Sequence, residues 1–124
     1  MNLASLILVG IVAVEHVFIL VLEMFLWQTE FGMKTFLLTP ETAAITATLA
    51  KNQGLYNGFL AAGLIWALFF INDANQKYQT ILFFLICIVV AAIFGSATAK
   101  FSILFTQGAP ALIALIVTIL ANKK

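Results

Sequence analysis

Long apolar runs separated by short polar interruptions organise this chain. A helix needs about 20 mostly apolar residues to cross a bilayer, and on that scale four runs stand out, at about 3–27, 54–71, 78–98 and 102–121. The join between the second and third is the polar turn "NDANQK", and little more than "TAKFS" separates the third from the fourth. Joins this short make neighbours in sequence antiparallel neighbours in space. The pattern predicts an all-α fold, a four-transmembrane-helix bundle forming a single membrane domain over 1–124, with both termini on one side.

The first connection is different, because Gln28 to Gln53 is long enough to hold structure of its own. In "LTPETAAITATLAKNQG", Thr39 can cap a helix, Pro40 suits its first position, and Glu41 favours the positive end of the helix dipole. A helical segment over about 40–51 is expected to lead into the second span, with a bend or break near Gly54. The third span places Ala91, Gly95 and Ala99 on one line and Ala92 and Ser96 on the next, a small-residue spacing that lets helix backbones approach closely. In the fourth, "QGAP" removes a side chain at Gly108 and a backbone donor at Pro110, which predicts a kinked helix.

Composition agrees with the pattern. A chain 64% hydrophobic and 9% charged, with a mean hydropathy of +1.13, has too little polar residue to clothe a soluble surface. The bilayer itself is therefore the first expected partner. Six lysines against five acids are scattered along the chain, so no basic patch can neutralise a run of phosphates, and nucleic acid is excluded as a partner. The single cysteine, Cys87, can form no internal disulfide and is assigned to packing or to a lipid-facing position. The N-terminal stretch lacks a basic segment and a clean cleavage site, and its apolar pattern continues to Trp27, so it is expected to be a retained first span.

Against this background the stretch "AVEHVFILVLEMFLW" is unusual, since an apolar run carries two acids and the only histidine. His16 and Glu23 are seven residues apart and fall within about 20° of each other, with Leu20 and Trp27 on the same stripe, while Glu15 lies about 100° from His16. An ionised side chain at mid-bilayer costs at least about 2.5–3.5 kcal/mol, so these groups should point inward, be paired, or be neutral. In "NQGLYNG", Asn52 and Tyr56 are one turn apart, as are Gln53 and Asn57, giving one polar arc. Ser96, Lys100 and Gln107 enter from the same membrane side, whereas the opposite half of spans two to four is almost wholly apolar. The sequence thus predicts one inward polar pocket, open to one side, built from Glu15, His16, Glu23, Asn52, Gln53, Tyr56, Asn57, Lys100 and Gln107.

Each residue also has a plainer role. Glu23 can snorkel, His16 can bond helix to helix, Glu15 can pair with a lysine or stay protonated, and Lys100 can anchor at the interface. The amides can act as interhelical glue worth about 0.6 kcal/mol per bond. No motif for a hydrolytic triad or a phosphate loop is present, and no cofactor is implied. No metal is expected either, because His16 and Glu23 lie about 10 Å apart along the helix axis.

The segments "EHVFILVLEMFLW", "NQGLYNGFLAAGL", "FGSATAK" and "QGAPALIALI" occur in the order and spacing of the domain of unknown function 1304 family of small bacterial membrane proteins, which the chain resembles over nearly its whole length. The resemblance implies a four-helix protein of about this length in a bacterial inner or plasma membrane, and it supplies no established activity. Where such proteins often carry arginine after the first span, this chain has lysine in "TEFGMK". Three functions fit the residues. The first is binding or transport of a small polar ligand or ion, coupled to protons through Glu23 and His16. The second is a membrane enzyme using Glu23 or His16 as acid or base on a lipid-soluble substrate. The third is an accessory subunit with a purely structural polar seam. A small molecule and a second copy of the chain are the candidate partners beyond lipid. Lysines divide evenly between the two sides, so the positive-inside rule sets no orientation.

Overall fold

The structure, a computed structural model, describes residues 1–123. Among them the chain is all-helical: α1 (Leu3–Met24), α2 (Glu30–Phe36), α3 (Pro40–Phe69), α4 (Ala74–Thr98), a π-helical turn (Leu104–Gly108) and α5 (Ala109–Asn122). Three helices are long and apolar enough to cross a membrane. These are α1 at 22 residues, α4 at 25, and the 19-residue run Leu104–Asn122 that joins the π turn to α5. Although α3 is longer, at 30 residues, Asn52, Gln53, Tyr56 and Asn57 dilute its apolar run.

The chain divides into two compact units, one of Met1–Glu15 with the chain from Leu60 onward, the other of His16–Phe59. The boundary falls inside α1 and α3.

In the first unit, α4 buries Ile81, Leu85, Ile88 and Ala92, a stripe at spacings of four, three and four residues. Ala91 and Ala99, expected on a packing line, are exposed, Gly95 and Ser96 are half-buried, and only Ala92 is enclosed. α5 buries Ala111, Ala114 and Thr118. The α3–α4 connection is shorter than "NDANQK" suggests. Asp73 caps α4 by accepting from the Gln76 amide at 2.7 Å, which pulls the helix start back from the expected Tyr78 to Ala74. Lys77 then donates to the Leu68 carbonyl at 3.0 Å, satisfying an orphan acceptor at the end of α3. In place of a simple kink at "QGAP", the chain forms the π turn immediately before Pro110. A widened turn leaves carbonyls without their usual partners, which suits a sequence where proline has removed a donor.

In the second unit, α1 stops at Met24 rather than Trp27. The Thr29 hydroxyl donates to the Leu26 carbonyl at 2.7 Å and accepts from the Gly32 amide at 3.1 Å, so Thr29 closes one turn and caps the next helix. That helix, α2, is absent from the sequence-based expectation. It ends on Leu37 in the left-handed conformation (φ 55°), and the Leu38 amide reaches back to Met33 at 2.8 Å. The indole of Trp27 donates to the Thr46 hydroxyl at 3.0 Å and its ring lies 4.6 Å from that of Phe36, which ties the connection to α3. α3 begins at Pro40, with the Thr39 hydroxyl accepting from the Thr42 amide at 3.2 Å. It runs unbroken through Gly54, contrary to the expected break. A single glycine costs a helix only about 1 kcal/mol, which close packing can offset.

The backbone amide of Glu41 and the Thr39 hydroxyl hold the exposed Glu41 carboxyl below the usual range. A depressed folded-state value contributes stability above the unfolded pKa and loses it as pH falls through the folded one. Thr39→Ala is expected to cost about 1 kcal/mol at neutral pH, and the Glu41 share of the difference should vanish in acid, measured by thermal unfolding of the purified protein at several pH values.

Candidate functional site

Within the unit His16–Phe59, the C-terminal half of α1 meets α3 at two glycines. A Cβ at Gly54 would lie 2.7 Å from Met24 Cγ, 3.0 Å from Glu23 Cβ and 3.2 Å from the Leu20 carbonyl oxygen. One at Gly58 would run into the end of the Leu20 side chain. Preceded one turn earlier by the buried Ala50, this Gly-x-x-x-Gly line lets the two backbones come together. Sequence reasoning sought small-residue spacing on the third span and missed it here, although "GLYNG" displays it.

Asn57 sits between the two glycines and uses this closeness. Its Nδ2 donates to Glu23 Oε2 at 2.9 Å and to the Gln53 carbonyl at 3.1 Å. Because both partners are acceptors, only one orientation of the amide satisfies them. Asn57 Oδ1 and Glu23 Oε1 are then left as acceptors with no protein donor among the described residues. Both side chains are half-buried, so the pair is sheltered and still reachable.

The other expected members are distributed differently. His16, at 1% exposure, is among the most enclosed side chains and is engaged within the protein. Asn52 and Tyr56 are exposed on the far side of α3, about 160° from Gly54, and the Tyr56 ring lies 6.2 Å from that of Phe59. Gln53 is exposed too and contributes only its carbonyl. Asn52, Tyr56, Gln53 and Asn57 do share one arc of about 140° on α3, but only its Asn57 edge turns toward α1, since the glycines decide which face meets that helix. Glu15, Lys100 and Gln107 belong to the other unit. There Glu15 is half-buried, Lys100 is exposed beyond the end of α4, and Gln107 is half-buried in the π turn. Among the described residues no group of three His, Cys, Asp or Glu side chains is placed to hold a metal ion.

These features define an all-helical chain with three helices suited to a membrane and a carboxylate–amide pair fixed by a close helix contact. Residues 10–119 match the family described as protein of unknown function (DUF1304), and the chain belongs to that family. It is 36% identical over 118 residues to the "Uncharacterized protein YpaA" of Lactococcus lactis subsp. lactis (strain IL1403), covering 94% of this chain and 97% of that one. No solved structure matches.

Substitutions at the contact should separate sterics from bonding. Gly54→Leu meets the backbone of α1 and is expected to cost about 1–3 kcal/mol, while Gly58→Ala meets only a side-chain tip that can rotate and should be close to neutral. Asn57→Leu strands the Glu23 carboxyl and should cost about 0.6–1.7 kcal/mol. Equilibrium unfolding in mild detergent would rank the three.

Proposed function

We propose that this protein crosses a bacterial inner or plasma membrane four times as a helical bundle and binds a small polar ligand or ion at Glu23 and Asn57, as a carrier or transport step. Insertion in lipid is supported by the many large apolar side chains left exposed on the helices, such as Phe18, Phe83, Phe94 and Ile116, a surface that water would not tolerate at this density. α3 serves as the remaining span, with Asn57 at the ligand site and Asn52, Gln53 and Tyr56 exposed elsewhere on its surface.

The single observation that carries the ligand reading is the double commitment of the Asn57 amide nitrogen. It leaves Asn57 Oδ1 and Glu23 Oε1 without a protein donor among the described residues, so the sheltered pair offers free acceptors. Such a site favours a cation or a molecule rich in N–H or O–H donors, and it disfavours anions. Glu23 also sits where a proton can exchange with that ligand, which suits coupling of binding to protonation.

Four spans put both ends of the chain on one face. Cysteines introduced at positions 2 and 123 should label from the same side of inverted and right-side-out vesicles, and opposite labelling would remove the four-span topology.

Ligand binding is tested by thermal shift of protein in nanodiscs against alkali cations, ammonium, guanidinium and small amides, with anions as controls. Cations or donors should stabilise the wild type, and Glu23→Gln should abolish the shift with little change in the unliganded melting temperature. A panel without effect, or one unaltered by Glu23→Gln, would leave the pair as interhelical glue and support the accessory role instead.

A further inference from the structure

The stripe of α3 that turns away from α1 has a period of its own. Ile45, Leu49, Asn52, Tyr56 and Phe59 follow one another at spacings of four, three, four and three residues, all within the unit His16–Phe59. At 100° per residue they fall within an arc of about 80° centred opposite Gly54. This is a heptad seam, the pattern that keeps one helix in register with a second that coils around it. No segment of the described chain occupies that place, for Ile45 is 84% exposed, Leu49 60%, Tyr56 58% and Phe59 56%. Asn52 is exposed with them, and neither its amide nor the Tyr56 hydroxyl makes a hydrogen bond among the described residues.

Acyl chains cannot cover the whole seam. α1, at 22 residues, is about 33 Å long, close to the roughly 30 Å of a bilayer's hydrocarbon, so its end at Met24 marks the edge of that layer. A Cβ at Gly54 would lie 2.7 Å from Met24 Cγ, which sets Gly54 at the same height. Along α3, Leu49 then stands about 7 Å and Ile45 about 13 Å further out, at and beyond a head-group layer about 5–8 Å deep. Two large aliphatic side chains thus face head groups and water, while Tyr56 and Phe59 on the same stripe face lipid. The occupant of the seam must cross that boundary as α3 does.

We propose that the occupant is a second copy of this chain, with the two α3 helices parallel about a two-fold axis along the membrane normal. Copies inserted in one bilayer share one orientation, so each seam residue meets its own counterpart. Such a contact excludes charge, and none of the five positions carries any. An amide holds both a donor and an acceptor and can pair with itself, so Asn52 against Asn52 fixes the register, as a single polar residue does in a coiled-coil core. With about 150–250 Å² on a side chain of this size, the exposed parts of Ile45, Leu49, Tyr56 and Phe59 offer roughly 500 Å² per copy, so a pair buries roughly 1,000 Å², the level a specific interface needs. The inference builds on α3 crossing the membrane as proposed above and is independent of any ligand at Glu23 and Asn57.

The test uses full-length protein carrying Cys87→Ala and one new cysteine at a time, in membranes of the expressing bacterium. Under copper phenanthroline, cysteines at 45, 49, 52, 56 and 59 should each join their own counterpart, since a disulfide needs Cα atoms about 4.4–6.8 Å apart. Cysteines replacing the exposed Ala44 and Gln53, about 100° and 80° off the stripe, should not. In mild detergent the wild-type protein should sediment as a dimer. Asn52→Leu should weaken that dimer by about 5–30-fold, the loss of one interhelical amide pair. Asn52→Lys, which sets like charges face to face, should leave monomer, whereas Gln53→Lys should not. Crosslinking equal on and off the stripe, crosslinking absent from it, or a monomeric wild type would overturn the proposal. Labelling at positions 2 and 123 reports on the spans separately: same-side labelling without seam crosslinks removes the dimer alone, opposite labelling without them removes both, and seam crosslinks uphold the pairing in either case. Should a variant fail to fold, sedimentation of the wild-type protein still decides.

Discussion

The closeness of α1 and α3 at Gly54 governs the chemistry available to Glu23. In lipid, helices gain little from hiding apolar surface from one another, because the surrounding tails are as apolar as leucine. What holds them is shape and the few polar bonds that shape permits. With 3.0 Å between the position of a Gly54 Cβ and the Glu23 Cβ, no larger residue fits without displacing α1. The same closeness lets a short side chain, Asn57, span the gap to the carboxylate, where a longer amide would have to fold back on itself. Packing and polarity are therefore one feature here. A larger residue at Gly54 shifts the surroundings of the acid without altering the acid itself.

The two units are built by different means. Residues 16–59 depend on glycine contacts, hydroxyl caps at Thr29 and Thr39, and the bond from Trp27 to Thr46. The other unit depends on interlocking aliphatic side chains, with Leu64, Ile81 and Leu85 fully enclosed. Polar side chains close its helix ends, through Asp73 and Lys77, and its interior is mostly methyl and methylene groups, with the hydroxyls of Ser5 and Thr118 enclosed among them. Polar groups in residues 16–59 are thus held in defined directions by side-chain bonds to named partners.

Much of this was legible in the sequence, and the losses share one cause. Apolar runs located the helices, and the Thr39–Pro40 pair located the start of α3, because those signals are local. Glu23 and Asn57 were recognisable as candidates because a carboxyl and an amide in such runs demand partners. Which face each residue turns inward was not legible. In a soluble helix, polar residues mark the outside, but here nearly every face is apolar and the pattern says little about orientation. Asn52 and Tyr56 were grouped with Asn57 on one-turn spacing, whereas the glycine line sets the inward direction and leaves them behind. The helix α2 and the early end of α1 escaped notice because they rest on the side-chain bonds of one threonine. No periodicity announces such bonds.

The π turn at Leu104–Gly108 has a consequence for chain length. A π turn is in effect one residue more than an α-helix would use, absorbed without breaking the rod. Removing one residue from this stretch would let the helix close into regular α geometry, and everything before the deletion would rotate by about 100° relative to everything after it. Phe105 would then leave the ridge it shares with Ala109 and Ile113. The extra residue acts as a phase shifter between the end of α4 and the face that α5 presents. Relatives differing by a single residue at this point would keep the same helices and hydropathy while offering a differently shaped wall to whatever lies against it.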